Sequence, residues 1–183
     1  MKLNDAIKLS CDFLDLEQLK SKIGAKEVDD ESAKQLNKLL CCANLAYEEI
    51  VTEYLPILHT ERLDVTNGQI SFSLLSKPIC GIISVQDENG SDIKYSLSAD
   101  HISLSAQKAT ITYQTIPNAL AYGAEVSVLF PERLLAYGIA REYLFLQDKS
   151  DEALIFEKRF KDGLTSFVHK KSALILPRRR WHA

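Results

Sequence analysis

The chain has 183 residues, enough for one domain or one domain with an insertion, and it can bury a core without disulfides or a structural metal. Its hydrophobic fraction of 46% and charged fraction of 26% are ordinary for a globular protein. The net charge of −3 excludes a globally basic nucleic-acid binder, and seven glycines with five prolines exclude a collagen-like or Pro/Gly-rich disordered chain.

The four cysteines have no CxxC spacing, so the sequence predicts neither a zinc ribbon nor a thioredoxin-type motif; they are Cys11, Cys41, Cys42 and Cys80. We interpret all four as reduced, small core or surface residues of a cytosolic protein, because a secreted chain more often has spaced pairs. The N-terminal residues lack the apolar run of a signal peptide, and the absence of an apolar run of about 18 residues predicts no membrane span.

The N-terminal third of the chain has the apolar spacing of helices. Two short helices are predicted in the first 25 residues, the second ended by Gly24. An acidic run at residues 29–32 favours the N-terminal end of a longer helix, predicted over residues 31–54 and ended by Pro56. Its apolar residues recur at spacings of three and four: Leu36, Leu40, Ala43, Tyr47, Ile50 and Tyr54.

From Thr60 the period of the apolar residues changes to two, which is typical of strands with one buried face. Asn67-Gly68 and Asn89-Gly90 lie between such runs, and the Asn-Gly pair suits a tight hairpin turn. The even spacing indicates a compact antiparallel sheet or a small sandwich. Seven short strands are predicted, at residues 61–65, 69–75, 79–86, 92–97, 101–105, 109–115 and 124–130.

The last third of the chain returns to helical spacing. Pro131 is predicted in the first turn of a helix over residues 132–147, and Ser150 as the N-cap of a last helix over residues 151–170. The apolar face of the first of these helices is Leu135, Ile139, Tyr143 and Leu146, and that of the second is Phe156, Phe160, Leu164 and Phe167.

The order of these elements predicts an α+β fold. Three long amphipathic helices, with short N-terminal helices, form a helical core into which an antiparallel β lobe is inserted. The predicted organisation is an N-terminal helical part at 1–58, an inserted β-rich lobe at 59–130, a C-terminal helical pair at 131–171 and an extended basic tail at 172–183.

Motifs that carry catalysis are missing from the sequence, which has no GxxxxGK[ST], GxGxxG, HExxH or GxSxG. The four histidines lie in different predicted elements, so a pair such as Cys80 with His101 could meet only in three dimensions. The acidic pairs Asp29-Asp30 and Glu48-Glu49 are interpreted as a helix N-terminal cluster and a solvated helix face. We therefore expect no enzyme activity, no catalytic residue, no cofactor and no metal site.

Charge is strongly segregated along the chain. Residues 158–183 carry eight basic residues against one acidic residue, a net +7, which leaves −10 for residues 1–157. A basic end on an acidic body is typical of an interaction tail, although a solubilising disordered end has the same charge. Four large apolar residues favour docking, and we predict a partner-docking set of Leu174, Ile175, Leu176, Arg178, Arg179, Arg180 and Trp181. The segment 170–181 is predicted to be disordered or loosely docked in the free protein and to order only on a partner.

Four stretches of the sequence together resemble one known group of proteins. They are the small-residue-rich helix Leu134-Leu-Ala-Tyr-Gly-Ile-Ala-Arg-Glu-Tyr-Leu144, the helix Asp151–Leu164, the strand Ala109–Tyr113 followed by Pro117, and the ending Leu176-Pro-Arg-Arg-Arg-Trp181. In this order, over roughly residues 30–181, they resemble the head-to-tail connector (neck adaptor) proteins of tailed bacteriophages and prophages. Phe160 stands where the second helix of that family often carries Tyr.

The resemblance implies a structural virion protein that assembles as a ring of about twelve copies below the portal. It implies further copies of the chain, the portal protein and the next tail or neck protein as partners, and non-specific contact with DNA in the channel. It implies no catalysis, no cofactor and no membrane contact. The location would be the virion, and the host cytoplasm before assembly.

Three other interpretations of the sequence stay open. A cytosolic nucleic-acid-binding or regulatory protein could use the basic cluster at Arg178–Arg180, and its binding would then fall steeply with salt. A small enzyme could assemble its residues only in three dimensions, in a deep pocket with convergent polar groups. Another structural protein of a tail or capsid is the third.

Overall fold

The computed structural model describes residues 1–25, 27–126 and 130–171, and this part of the chain is mixed α and β, with five α-helices and two small antiparallel sheets. The helices are α1 Leu3–Phe13, α2 Glu17–Lys22, α3 Asp30–Glu49, α4 Glu132–Phe145 and α5 Ser150–Lys171. The strands are β1 Leu58–Asp64, β2 Gln69–Ser71, β3 Ile79–Gln86, β4 Tyr95–Leu97, β5 His101–Leu104 and β6 Lys108–Thr115.

The chain divides into two compact units. Unit 1 consists of residues 1–46 and the described residues from 121 onward, and unit 2 consists of residues 47–120. The five α-helices lie in unit 1, apart from the last turn of α3, and both sheets lie in unit 2.

Helix α4 of unit 1 is buried on more than one face, so the single apolar face predicted for it is too narrow. Its ring contacts include Phe13 of α1, which stacks on Tyr137 at 5.1 Å between ring centroids. Leu146, predicted on the apolar face, is outside the helix and 57% exposed, because α4 ends at Phe145 and the chain turns. The buried residues of α4 are Leu134, Leu135, Ala136, Gly138, Ile139, Ala140, Arg141, Tyr143 and Leu144.

Small residues in α4 allow its neighbours to approach closely. A Cβ added at Gly138 would lie 2.7 Å from the Cβ of Ala46 in α3 and 2.9 Å from the ring of Phe160 in α5. A Cβ added at Gly163 of α5 would lie 2.4 Å from a methyl group of Leu134 in α4. Glycine at these two positions therefore sets the distances between the helices.

Substituting Gly138 by Ala is expected to lower the free energy of unfolding by about 1 to 2 kcal/mol. Overpacking costs about 1–3 kcal/mol, and the better helix propensity of Ala returns up to about 1 kcal/mol. Urea denaturation followed by circular dichroism measures the change. Gly81→Ala is the matched control, because a Cβ there meets nothing within 4 Å. Equal stability of the two variants would contradict the close approach.

The helix predicted over residues 31–54 changes character near its end. Its α-helical part stops at Glu49, and Ile50–Tyr54 form a π-helical turn. Pro56 has no N–H to donate to the carbonyl of Thr52, as an α-helix would require. Gln114 of β6 supplies the donor instead: its Nε2 lies 2.8 Å from that carbonyl oxygen and 3.2 Å from the preceding one.

Unit 2 is built from two three-stranded sheets, with strand orders β1-β6-β3 and β2-β5-β4. Every pairing within them is antiparallel, which confirms the antiparallel sheet class predicted from the period of two. One core cluster draws on strands of both sheets: Ile70, Val85, Ile102, Leu104, Ala109, Ile111 and Tyr113.

The turn at Asn67-Gly68 is as tight as the sequence predicts. Both residues have positive φ, +53° and +74°, and Thr66 and Gln69 on either side exchange two backbone hydrogen bonds. A residue with a Cβ is disfavoured at Gly68 for this reason. The following strand ends at Ser71, where a single 3₁₀ turn replaces the second half of the predicted strand.

Six strands, not seven, are found in the described part of the chain. The strand predicted at 124–130 is wrong over its described residues, where Glu125 makes an isolated bridge with Lys2. Two backbone hydrogen bonds to the N-terminal segment accompany this bridge, too few for a ladder. Residues 127–129 of that prediction lie outside the described part.

Candidate functional site

The predicted docking residues lie outside the described part of the chain. This holds for the apolar run Leu174, Ile175 and Leu176 and for the basic and aromatic residues Arg178, Arg179, Arg180 and Trp181. Helix α5 continues to Lys171, one residue beyond the predicted end, so the first two residues of the predicted docking segment are helical.

An apolar surface lies at the opposite end of α5, around the turn that joins it to α4. Phe145 is 38% exposed, and the exposed fractions of Leu146, Leu154 and Ile155 are 57%, 56% and 55%. Side chains of this size are normally exposed singly, whereas here four occur within eleven residues of the chain. We call these four residues and the charged residues among them the turn surface.

The packing of α4 against α5 explains why these residues share one end of unit 1. Leu134 contacts the position of Gly163, and Gly138 contacts Phe160, so the two helices run antiparallel. Continued along the helices, this register brings Phe145 opposite Ala153, which is fully buried. Successive residues of a helix turn by about 100°, so Leu154 lies on a flank of α5 beside the end of α4 and Ile155 lies on the outer side of α5.

The turn surface is acidic as well as apolar. Asp148, Asp151 and Glu152 are all exposed, and Lys149 is the one basic residue among them. Its Nζ lies 4.0 Å from a carboxylate oxygen of Glu152, at the limit of an ion pair. The turn surface therefore carries a net charge of −2. The sequence does not predict the turn surface, because Leu154 and Ile155 lie off the predicted apolar face of α5. That face is Phe156, Phe160, Leu164 and Phe167, and only its packing against α4 shows that Leu154 and Ile155 stay exposed.

A second group of polar side chains lies in unit 2, on the core side of β1 and β6. The hydroxyl of Tyr113 donates to Oε1 of Glu61 at 2.5 Å and accepts from the N–H of Lys77 at 3.3 Å. The N–H of Ser76 donates to Glu61 at 3.0 Å, and its Oγ lies 3.1 Å from Nε2 of His59. Because Glu61 bonds to Tyr113 and to the backbone of Ser76, the group fastens the loop before β3 to the sheet.

These contacts set the pKa of two members of the group. Burial raises the pKa of Glu61, but the hydrogen bonds from Tyr113 and Ser76 outweigh it, so its pKa is lowered. Burial, followed by the hydrogen bond to Glu61, raises the pKa of Tyr113. Ionised Glu61 and neutral Tyr113 therefore form the pair at neutral pH.

Replacing Tyr113 by Phe is expected to lower the free energy of unfolding of unit 2 by about 1–3 kcal/mol at pH 7, because Glu61 loses a buried donor. Since the folded-state pKa of Glu61 is lowered from its ordinary value of 4.5, the bond contributes fully above about pH 4.5 and is lost as pH falls through the lowered value. Urea denaturation across pH 3–7 should therefore show wild type and variant converging at acid pH. Thr112→Val, on the exposed face of the same strand, is the control; a pH-independent difference for Tyr113→Phe would contradict the argument.

The cysteines are free, as predicted, and the adjacent Cys41 and Cys42 diverge, the first exposed and the second buried. Burial raises the pKa of Cys11 to about 11 and that of Cys42 to about 12, which keeps both thiols protonated and unreactive. Cys80 is exposed on β3 and belongs to the other sheet from His101. In the described structure no hydrogen bond joins these two, and Nδ1 of His101 lies 2.6 Å from a carboxylate oxygen of Asp100.

A cavity of about 480 Å³ on unit 1 lies between α2 and the start of α3. Its charged lining includes Lys22 and Asp29, which form an ion pair, and Lys22 also donates to Oγ of Ser32 at 2.7 Å. Asp29 accepts from the backbone N–H of Ser32 and so caps the helix. The hydrogen bond from Lys22 holds the pKa of Asp29 well below its usual range. These charges are paired within the chain and serve the start of α3.

Over residues 1–25, 27–126 and 130–171, no group of three or more His, Cys, Asp or Glu side chains could hold a metal ion. Within the same residues, no helix has both the length and the apolar character needed to cross a membrane. In comparisons with known proteins, no family model and no curated protein matches this chain.

Proposed function

We propose that this protein is a structural virion protein, a head-to-tail connector that assembles as a ring below the portal. The observation that carries the proposal is the turn surface, where four large apolar side chains of unit 1 are exposed within eleven residues of the chain. Exposed apolar groups of this kind are typical of surfaces that another protein covers. The segregation of charge between an acidic body and a basic tail gives the same chain a second, complementary element.

The finer architecture is part of this proposal. α3, α4 and α5 would act as three long amphipathic helices that form the helical core of the connector. Unit 2, residues 47–120, would act as the inserted lobe, in place of the 59–130 predicted from the sequence. The close approach of Gly138 to Ala46 and Phe160 supports a joint core of the three helices. The tail 172–183 would dock on further copies of the chain, on the portal protein or on the next neck protein.

Sedimentation velocity of the purified full chain, over a hundredfold range of concentration and without nucleic acid, tests the proposal. The connector function predicts a large species of one defined size, whose fraction of the sample rises with concentration. Because Leu174, Ile175, Leu176 and Trp181 would contribute apolar contacts, the assembly should persist at 0.5 M salt. A protein that stays monomeric at every concentration would contradict the proposal.

The runner-up function is nucleic-acid binding through Arg178–Arg180, and the same samples separate it from the first. If these arginines bind phosphates, a duplex DNA fragment should bind the monomer, and its affinity should fall steeply with salt. Assembly without DNA supports the connector, whereas salt-sensitive DNA binding without assembly supports the runner-up.

A further inference from the structure

We propose that the turn surface of one copy binds the C-terminal tail of the next copy. This inference rests on the proposed assembly and names the surface through which it occurs. The acceptor is Phe145, Leu146, Leu154 and Ile155 together with Asp148, Asp151 and Glu152. The donor is the segment 172–183.

The chemistry of the two elements matches in kind. The tail has an apolar run, Leu174–Leu176, followed by Arg178–Arg180 and Trp181. The turn surface has four exposed apolar side chains next to three exposed carboxylates. Apolar residues would cover apolar residues, and the three guanidinium groups would face Asp148, Asp151 and Glu152. Arg and carboxylate pair with two parallel hydrogen bonds, so this part also fixes the register.

The apolar run of the tail cannot cover the turn surface of its own chain as a whole. Lys171 lies seventeen helical residues beyond Leu154, a distance of about 25 Å at about 1.5 Å per residue. A fully extended chain covers at most about 3.6 Å per residue, so the Cα atom of Leu176 lies no more than about 18 Å from that of Lys171. Folded straight back along α5 at full extension, Leu176 would just contact Leu154, but the Cα atom of Leu174 would stay about 15 Å from it. Another copy has no such restriction, so we assign the turn surface that receives the whole tail to another copy, and the charge-exchange experiment below distinguishes the two arrangements.

Contact of this kind is heterologous, because the two elements in contact are different parts of the chain. Each copy then has one tail to donate and one turn surface to accept a tail. Heterologous contacts close into a ring when the rotation between neighbours allows it, and otherwise continue as a filament. The inferred contact thus has the symmetry that the proposed ring needs.

A fluorescent synthetic peptide of residues 172–183 tests the inference by direct binding. Its partner is the full chain with a reversed tail, R178E/R179E/R180E, whose turn surface is native and whose own tail does not compete. The peptide's affinity is measured by fluorescence anisotropy for this protein and for two further variants on the same background. One is D151N/E152Q, which removes the two charges without creating a basic surface that the reversed tail could bind, and the other is L154S/I155S; all four positions are exposed, so the fold should tolerate the changes.

We expect each surface variant to weaken peptide binding by at least tenfold. The matched controls are Asp162→Asn, at an exposed acidic residue of α5 outside the turn surface, and Leu45→Ser, at an exposed leucine of α3. Both should bind within twofold of the parent. Absence of peptide binding to the parent, or equal binding by surface variants and controls, would overturn the inference.

Charge exchange between full chains gives an independent check. The tail-reversed chain and the D151R/E152R chain should each fail to assemble alone but assemble when mixed, because every contact in the mixture then pairs opposite charges. If the wild type assembles but the surface variants bind the peptide as well as the parent does, the turn surface is not the docking site. That result would not contradict the connector function. Peptide binding at the turn surface by a wild type that never assembles would support the surface and contradict the connector.

Discussion

Replacing Phe160 by Ala should lower the free energy of unfolding by about 3–5 kcal/mol, the usual cost of truncating a fully buried Phe. Phe160 of α5 is 0% exposed, as its spacing in the sequence predicts. Its ring packs against Gly138, and the guanidinium of Arg141 lies 4.8 Å above its centroid. The substitution therefore leaves a cavity between α4 and α5 and removes the aromatic face on which a buried cation rests.

Urea denaturation followed by the helical circular dichroism signal measures this loss. Lys158→Ala is the matched control, because Lys158 is an exposed residue of the same helix and its truncation should change the free energy of unfolding by less than about 0.5 kcal/mol. A loss below about 1 kcal/mol for Phe160→Ala would mean that α4 and α5 do not pair through this ring.

Deleting residues 172–183 should abolish assembly while leaving the fold intact. The buried residues of both units lie before residue 172, so the deletion removes none of the described core. We expect the melting temperature to change by no more than about 2 °C, which corresponds to about 1 kcal/mol or less. Assembly should be lost because a buried Trp contributes about 2–4 kcal/mol at the centre of an interface, and the apolar run and three arginines go with Trp181.

Differential scanning calorimetry and sedimentation velocity measure the two effects on the same samples. The control is R178K/R179K/R180K, which keeps the charge and length of the tail and should still assemble, though less tightly. If the truncated chain instead unfolds or melts far below the wild type, the tail is part of the core of its own chain and not a docking arm.

The sequence predicts the bounds of a helix best where a single apolar face of that helix packs against one neighbouring element. The spacing of Phe156, Phe160 and Leu164 places α5 within one residue of its observed bounds. The sequence predicts an α-helix up to Tyr54, but its last five residues form a π-helical turn. Two carbonyls of this turn accept from Gln114, about sixty residues away, a contact that the local spacing of apolar residues does not indicate. The single face predicted for α4 was too narrow, because three other helices pack around it.

The candidate site was harder to predict than the fold. Charge segregation and the apolar content of the tail indicate a donor element from composition alone. The acceptor has no such signal, because Leu154 and Ile155 resemble ordinary core residues in the sequence. Only the antiparallel packing of α4 and α5, with Ala153 facing α4, leaves the next two residues exposed.

Electron microscopy of the concentrated full-length protein tests most directly the claim that this chain is a ring-forming connector. The account predicts closed rings of one diameter and one copy number, formed without nucleic acid and missing from the sample that lacks residues 172–183. Monomers at the highest soluble concentration, or irregular aggregates without rotational symmetry, would contradict it.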